Sequence, residues 1–126
     1  MTEAELRAFF DAYGASFAQT EAEIAEFYNA PCMTARQGQV RLNVTRADVQ
    51  GFFGAVLQQY RAQGISQGEM RAFQYVELGA NAIAATITWA YQDPQGKVLF
   101  EWTFTYELYR GAEGWKVLVQ TMHDQA

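Results

Sequence analysis

Val98-Leu99-Phe100-Glu101-Trp102-Thr103-Phe104-Thr105-Tyr106-Glu107-Leu108-Tyr109 alternates between apolar and polar residues from Phe100 to Leu108. Val98, Phe100, Trp102, Phe104, Tyr106 and Leu108 fall on one side of an extended chain. Leu99, Glu101, Thr103, Thr105, Glu107 and Tyr109 fall on the other. A period of two with one apolar set is the pattern of a β-strand buried on one face. Its aromatic and β-branched content suits a pleated surface.

The neighbouring segments extend this strand into a sheet. Asp93-Pro94-Gln95-Gly96 precedes it as a turn, and Arg110 to Gly114 follows as another. Ala82 to Tyr91 and Trp115 to His123 read as strands on either side. Glu69 to Leu78 reads as a further strand, joined through Gly79-Ala80-Asn81. Strands joined by such short turns pair as an antiparallel meander. Alternation along the last strand puts Trp115, Val117 and Val119 on the inner face. Lys116, Leu118, Gln120 and Met122 are expected on the outer face, which is not fully polar and offers a surface for a partner subunit.

The first half of the chain reads as helical. Thr2 with Glu5, Thr20 with Glu23 and Thr45 with Asp48 each place a hydroxyl three residues before an acid. Such pairs cap the exposed backbone N–H groups at a helix start; Asp is a weaker partner than Glu. The expected helices run from about Glu3 to Ala18, Glu21 to Tyr28 and Arg46 to Gln63. The first carries Leu6, Phe9, Phe10, Tyr13 and Phe17 as an apolar stripe. The third carries Val49, Phe52, Phe53, Val56, Leu57 and Tyr60. Gly14 inside the first helix costs roughly 1 kcal/mol relative to Ala, so a close neighbour is expected there. Between the second and third helices, Cys32 to Arg36 and Gln39 to Val44 flank Gln37-Gly38 as a hairpin. The expectation is a single α+β domain over residues 1–126, with three helices from the N-terminal half packed on a curved antiparallel sheet.

Composition narrows the function classes. Half of the 126 residues are hydrophobic and 15% are aromatic, enough for a core. Nine basic residues against 14 acidic ones give a net charge of −5. That balance, without a basic stripe, opposes nucleic-acid binding and adsorption to anionic membranes. One cysteine, Cys32, permits no internal disulfide. The acidic N-terminus lacks a signal-peptide pattern, and no apolar run approaches the ~18 residues of a membrane span. A cytoplasmic location is expected.

The order helix, helix, hairpin, helix and four-strand meander resembles the NTF2-like superfamily. The segments that carry the resemblance are Phe9-Phe10-Asp11-Ala12-Tyr13, Ile24-Ala25-Glu26-Phe27-Tyr28-Asn29-Ala30-Pro31, Val49-Gln50-Gly51-Phe52-Phe53 and Gly114-Trp115-Lys116-Val117. They are most similar to a bacterial group without an assigned activity. The resemblance implies a cone in which helices and a concave sheet enclose a pocket, and a homodimer through the outer sheet face. It also implies a range of activities, including ketosteroid isomerases, polyketide cyclases, epoxide hydrolases and non-catalytic adaptors, so fold alone does not assign function.

In the isomerase-like members a carboxylate after the first strand is the base, and a helix tyrosine with a buried acid holds the oxyanion. Tyr13 falls close to the tyrosine's place. The base position falls near Ala35 and Arg36, where no carboxylate stands, and the inner face of Val98 to Leu108 carries no acid. The expected pocket wall comprises Tyr13, Phe17, Tyr28, Arg36, Phe53, Trp102, Phe104, Tyr106 and His123. Arg36 is also read as an anion-binding group at the pocket mouth. Cys32 reads as a small buried hydrophobe, and Glu101 and Glu107 as outer-face residues within reach of Lys116. His123, the one histidine, lacks the clustered ligands of a metal site, and no cofactor signature is present. Three functional expectations follow: a cone holding a small, mainly apolar molecule, which a cone filled by side chains would overturn; an isomerase, cyclase or hydrolase using Tyr13 as donor, which needs an acid or His123 beside it; and a non-catalytic dimeric module.

Overall fold

The computed structural model describes residues 1–124. Its elements run α1 (Glu3–Ser16), α2 (Glu21–Ala25), β1 (Tyr28–Arg36), β2 (Gln39–Asn43), α3 (Arg46–Ala62), β3 (Gln67–Glu77), β4 (Ala82–Gln92), β5 (Val98–Gly111) and β6 (Gly114–Met122). The strands form one sheet in the order β2-β1-β6-β5-β4-β3. β3 to β6 are the expected meander. The hairpin β1–β2 joins it through a parallel pairing of β1 with β6, which local sequence pattern does not announce. The fold is α+β, with the helices on one face of a curved, mostly antiparallel sheet.

Two of the three capping signals form complete boxes. Thr2 and Glu5 cap α1 and Thr45 and Asp48 cap α3, with both side chains bonded to backbone N–H groups. Those bonds hold the Glu5 and Asp48 carboxyls below their usual range, because the backbone donors favour the ionised form. Thr20 makes no such cap; its hydroxyl meets the Glu23 carboxylate instead, at 3.4 Å. The helix it opens is five residues long and ends at Ala25, so Tyr28 belongs to β1 rather than to α2.

Gly14 has the close neighbour its position calls for. A Cβ there would stand 2.8 Å from the Trp89 ring and 3.1 Å from the Gly68 carbonyl oxygen. α1 therefore lies directly on β4 and β3, and the indole fills the space that a side chain on Gly14 would occupy. Leu6, Phe10 and Tyr13 of α1, Phe53 of α3, and Ile87, Phe104, Tyr106 and Leu108 of the sheet are essentially inaccessible to solvent.

The inner face of β6 departs from simple alternation. The β5–β6 register shifts between Glu107 and Leu108, so Leu108 pairs with Val117 while Tyr106 pairs with Gln120 and Phe104 with Met122. The extra residue turns Gln120 and Met122 inward and sends Val119, opposite Glu107, to the outer face. Alternation across the bulge predicts the reverse for all three. Lys116 does not pair with Glu107; its Nζ donates to the Glu26 carbonyl at 2.5 Å. No helix is long and apolar enough to cross a membrane among the described residues.

Candidate functional site

The helical stripe that buries Leu6 and Phe10 also drives Tyr13 into the centre of the cone. Its ring packs against Trp89 and Tyr106 with centroids 6.0 and 5.6 Å away. Its hydroxyl lies 2.7 Å from that of Tyr28, at the start of β1. The Gln120 amide Nε2 donates to the Tyr28 hydroxyl at 2.9 Å and to that of Tyr13 at 3.4 Å. On the far side of Gln120, Arg36 Nη2 donates to Oε1 at 3.4 Å. The guanidinium is bracketed by the rings of Phe52 and Phe104, 5.4 and 5.6 Å from their centroids. Its Nε is buried without a partner. Opposite this chain of contacts, Trp89 Nε1 donates to the Tyr106 hydroxyl at 2.8 Å.

These side chains surround a cavity. Tyr13, Gly14 and Phe17 line it from α1, and Phe53, Val56 and Tyr60 from α3. Arg36, Gly68, Trp89, Tyr91, Phe104, Tyr106 and Gln120 line it from the sheet. The cavity is narrow, with room for roughly one water. An apolar molecule even of benzene size needs a much larger void. The aromatic side chains fill the cone, and this removes the expectation of a mainly apolar molecule held deep inside it.

The electrostatics of the lining are equally definite. Burial pushes the phenols of Tyr13, Tyr28, Tyr91 and Tyr106 well above their usual range, because an ionised phenolate there would lose its hydration. They are neutral hydrogen-bonding groups at ordinary pH and not bases. Among the described residues no carboxylate or imidazole lines the cavity. Asp11 and Glu69 line a separate open groove, which shares only Gly68 and Trp89 with it. Burial likewise raises the Cys32 thiol, the opposite of what a nucleophile needs. Among the described residues no three His, Cys, Asp or Glu side chains gather as metal ligands.

The structure gathers Tyr13, Phe17, Arg36, Phe53, Phe104 and Tyr106 on the lining, with Tyr28 bonded behind Tyr13. Two residues expected there stand elsewhere. Trp102 is half-buried and stands behind the lining, packed on Tyr60 and Tyr91 and stacked on Phe100, itself 40% exposed. His123 is on the opposite sheet face, because its backbone pairs with Thr103 and its Nε2 lies 2.7 Å from the Thr105 hydroxyl. The isomerase expectation therefore lacks both of the groups that would serve as its base. Sequence reasoning missed Trp89 and Gln120 as site residues. The alternation of β4 carries enough signal to place Trp89 inward; no local pattern announces the bulge that turns Gln120.

The comparisons agree with this architecture. The model of a family described as NTF2-like protein (DUF6841) matches residues 3–125. An NTF2-like protein with a cystatin-like fold from Novosphingobium aromaticivorans superposes with a TM-score of 0.73 at 15% identity, covering 94% of this chain and 79% of its own. A domain with a cystatin-like fold from Nostoc punctiforme gives 0.73 at 14% identity, with 100% and 80% covered. A proposed ketosteroid isomerase from Shewanella frigidimarina gives 0.69 at 16% identity, with 92% of each chain covered. At such identities the likeness is one of fold. No curated protein matches the chain.

Proposed function

The chain belongs to the NTF2-like family described by that model, and on this premise we propose that it is a binding domain rather than an acid–base enzyme. The observation that carries this reading is a set of polar groups converging on a cavity that has no base. Tyr13, Tyr28, Gln120 and Arg36 form one connected chain of contacts, and among the described residues the lining contributes no carboxylate or imidazole to move a proton. Because the interior holds only about one water, the ligand engages the cavity from its mouth, at Arg36, instead of filling the cone. Amide NMR spectra recorded against a panel of small molecules test this. Shifts centred on Arg36, Phe104 and Gln120 are the expected result, and a panel that leaves those signals unmoved removes the proposal.

A second reading concerns the outer sheet face, supported by its exposed apolar residues. Met33, Val40, Leu42, Val76 and Tyr109 are 39–70% exposed there, among small Ala and Thr side chains. A homodimer that buries this face accounts for them. Light scattering at high protein concentration checks it; a monomer overturns it.

A further inference from the structure

Every polar side chain on the cavity lining carries a hydrogen to donate, and none is an acceptor only. From this imbalance we infer that the ligand is a small monocarboxylate gripped by Arg36. The inference rests on the binding reading above and names the class of molecule that the site takes.

The hydrogen-bond count makes the imbalance concrete. The hydroxyls of Tyr13 and Tyr28 share one bond, and both oxygens also receive the Gln120 amide. One of their two hydroxyl hydrogens is thus left without an acceptor among the described residues. Gln120 Oε1 is already turned to Arg36, at a long 3.4 Å. Arg36 Nε is buried and has no acceptor among the described residues. Among the described residues the ion pairs are Arg7–Glu3 and Arg46–Glu26, and Arg36 is in neither. A single water in the cavity can accept from two donors but brings two hydrogens of its own, so it does not reduce the excess. A carboxylate only accepts, and its two oxygens match the planar fork of a guanidinium.

The position of Arg36 fits the small interior. The residue lines the cavity on one side and, on the other, a surface groove of about 280 Å³ beside the β1–β2 turn and the end of β6. A carboxylate arriving through the groove meets Arg36 first, and its organic remainder stays in the groove against Val40 and Met122. Asp124 lines the same groove and opposes a second negative group on the ligand, which favours a monoacid. With a net charge of −5 the whole chain repels anions, so affinity for one depends on this single guanidinium.

Isothermal titration calorimetry on the full chain decides the matter with benzoate, its neutral analogue benzamide and inorganic phosphate as probes. Benzoate is expected to bind roughly ten-fold or more tighter than benzamide, the scale of one charge-assisted contact. Arg36→Gln is expected to remove the advantage of benzoate over benzamide, while Arg36→Lys retains part of it. Thermal melting checks that both variants fold; should Arg36→Gln fail to fold, the benzoate-to-benzamide ratio in the native chain and in Arg36→Lys still decides. Equal binding of benzoate and benzamide overturns the carboxylate inference while the binding reading stands. Phosphate binding tighter than benzoate overturns it in favour of an inorganic anion. If none of the probes binds, with a water as the only occupant, both readings fall.

Discussion

Tyr13 is held from two directions, and the two supports are built differently. On one, Trp89 and Tyr106 come from β4 and β5, whose register is regular where they stand. Trp89 makes a single polar contact there, to the Tyr106 hydroxyl, and otherwise packs as a hydrophobe against Gly14 and Tyr13. On the other, Tyr28 and Gln120 come from β1 and β6, strands joined in parallel and irregular in register, and they connect onward to Arg36. The regular side is a rigid wall with one polar bond. The irregular side is a network with several, and it carries the only charge on the lining. Bulges recur where a strand must re-aim a side chain, and here the re-aimed side chain is Gln120.

The most demanding test treats both sides together. Burial raises the phenols of Tyr13 and Tyr28 on one side and of Tyr106 and Tyr91 on the other, so their folded values lie above the usual 10.0. The unfolded chain then releases these protons first. Their contribution to stability is fully present below pH ~10 and is lost as pH rises from there toward the folded values. The denaturation midpoint should hold up to about pH 10 and fall steeply above it, with phenolate absorbance from these residues appearing only as the chain unfolds. Phenolate absorbance rising while circular dichroism stays native would mean that one side is open to water.

Next in size is Trp89→Ala. It empties the wall beneath Gly14 and leaves the Tyr106 oxygen without its donor. A loss of about 3–5 kcal/mol is expected by urea denaturation, the range for a large aromatic removed from a packed core. A loss below about 2 kcal/mol would show that α1 settles onto β4 once the indole is gone, so that the wall is not rigid.

The same division explains what sequence could convey. Trp89 lies on a strand whose alternation runs unbroken from Ile83 to Trp89, and period two alone places Phe104, Tyr106 and Leu108 correctly. Tyr13 and Phe53 follow from helical stripes. Gln120, Met122 and Val119 were misplaced because one extra residue in β6 inverts the faces that follow it, and nothing in Gly114-Trp115-Lys116-Val117-Leu118 marks where it falls. Tyr28 reads as helical because Ile24, Phe27 and Tyr28 are apolar at helical spacing, whereas the helix that Thr20 opens ends at Ala25 and Tyr28 begins β1. His123 shares the face of Thr103 and Thr105, a placement fixed by pairing partners distant in sequence. Arg36 was legible as an anion-binding candidate at the pocket mouth, but not its buried Nε, which depends on Gln120 being inside.

A smaller effect isolates the single polar bond of the regular side. Tyr106→Phe keeps the ring and removes the acceptor of Trp89 Nε1. A buried donor without a partner costs about 1–3 kcal/mol, so this variant should lose that much in a urea titration. An unchanged midpoint would mean that the indole finds another acceptor, such as a water in the cavity, and the wall would then have the redundancy assigned to the network.

Tyr28→Phe should have the smallest effect, although it removes a hydroxyl with two partners where Tyr106→Phe removes one with a single partner. The reason lies in what remains. Without Tyr28 Oη, the Gln120 amide still faces the Tyr13 hydroxyl at 3.4 Å and can close on it, so the amide keeps an acceptor and the number of hydroxyl hydrogens without one stays at one. The expected loss is about 0.5–1.5 kcal/mol, the net value of one exchanged hydrogen bond rather than of an orphaned group. The ordering is the informative quantity: measured side by side, Tyr106→Phe should be the more damaging variant. If Tyr28→Phe equals or exceeds it, Gln120 cannot re-pair. The irregular side would then be as rigid as the wall, and Arg36 would have little freedom to shift toward a ligand.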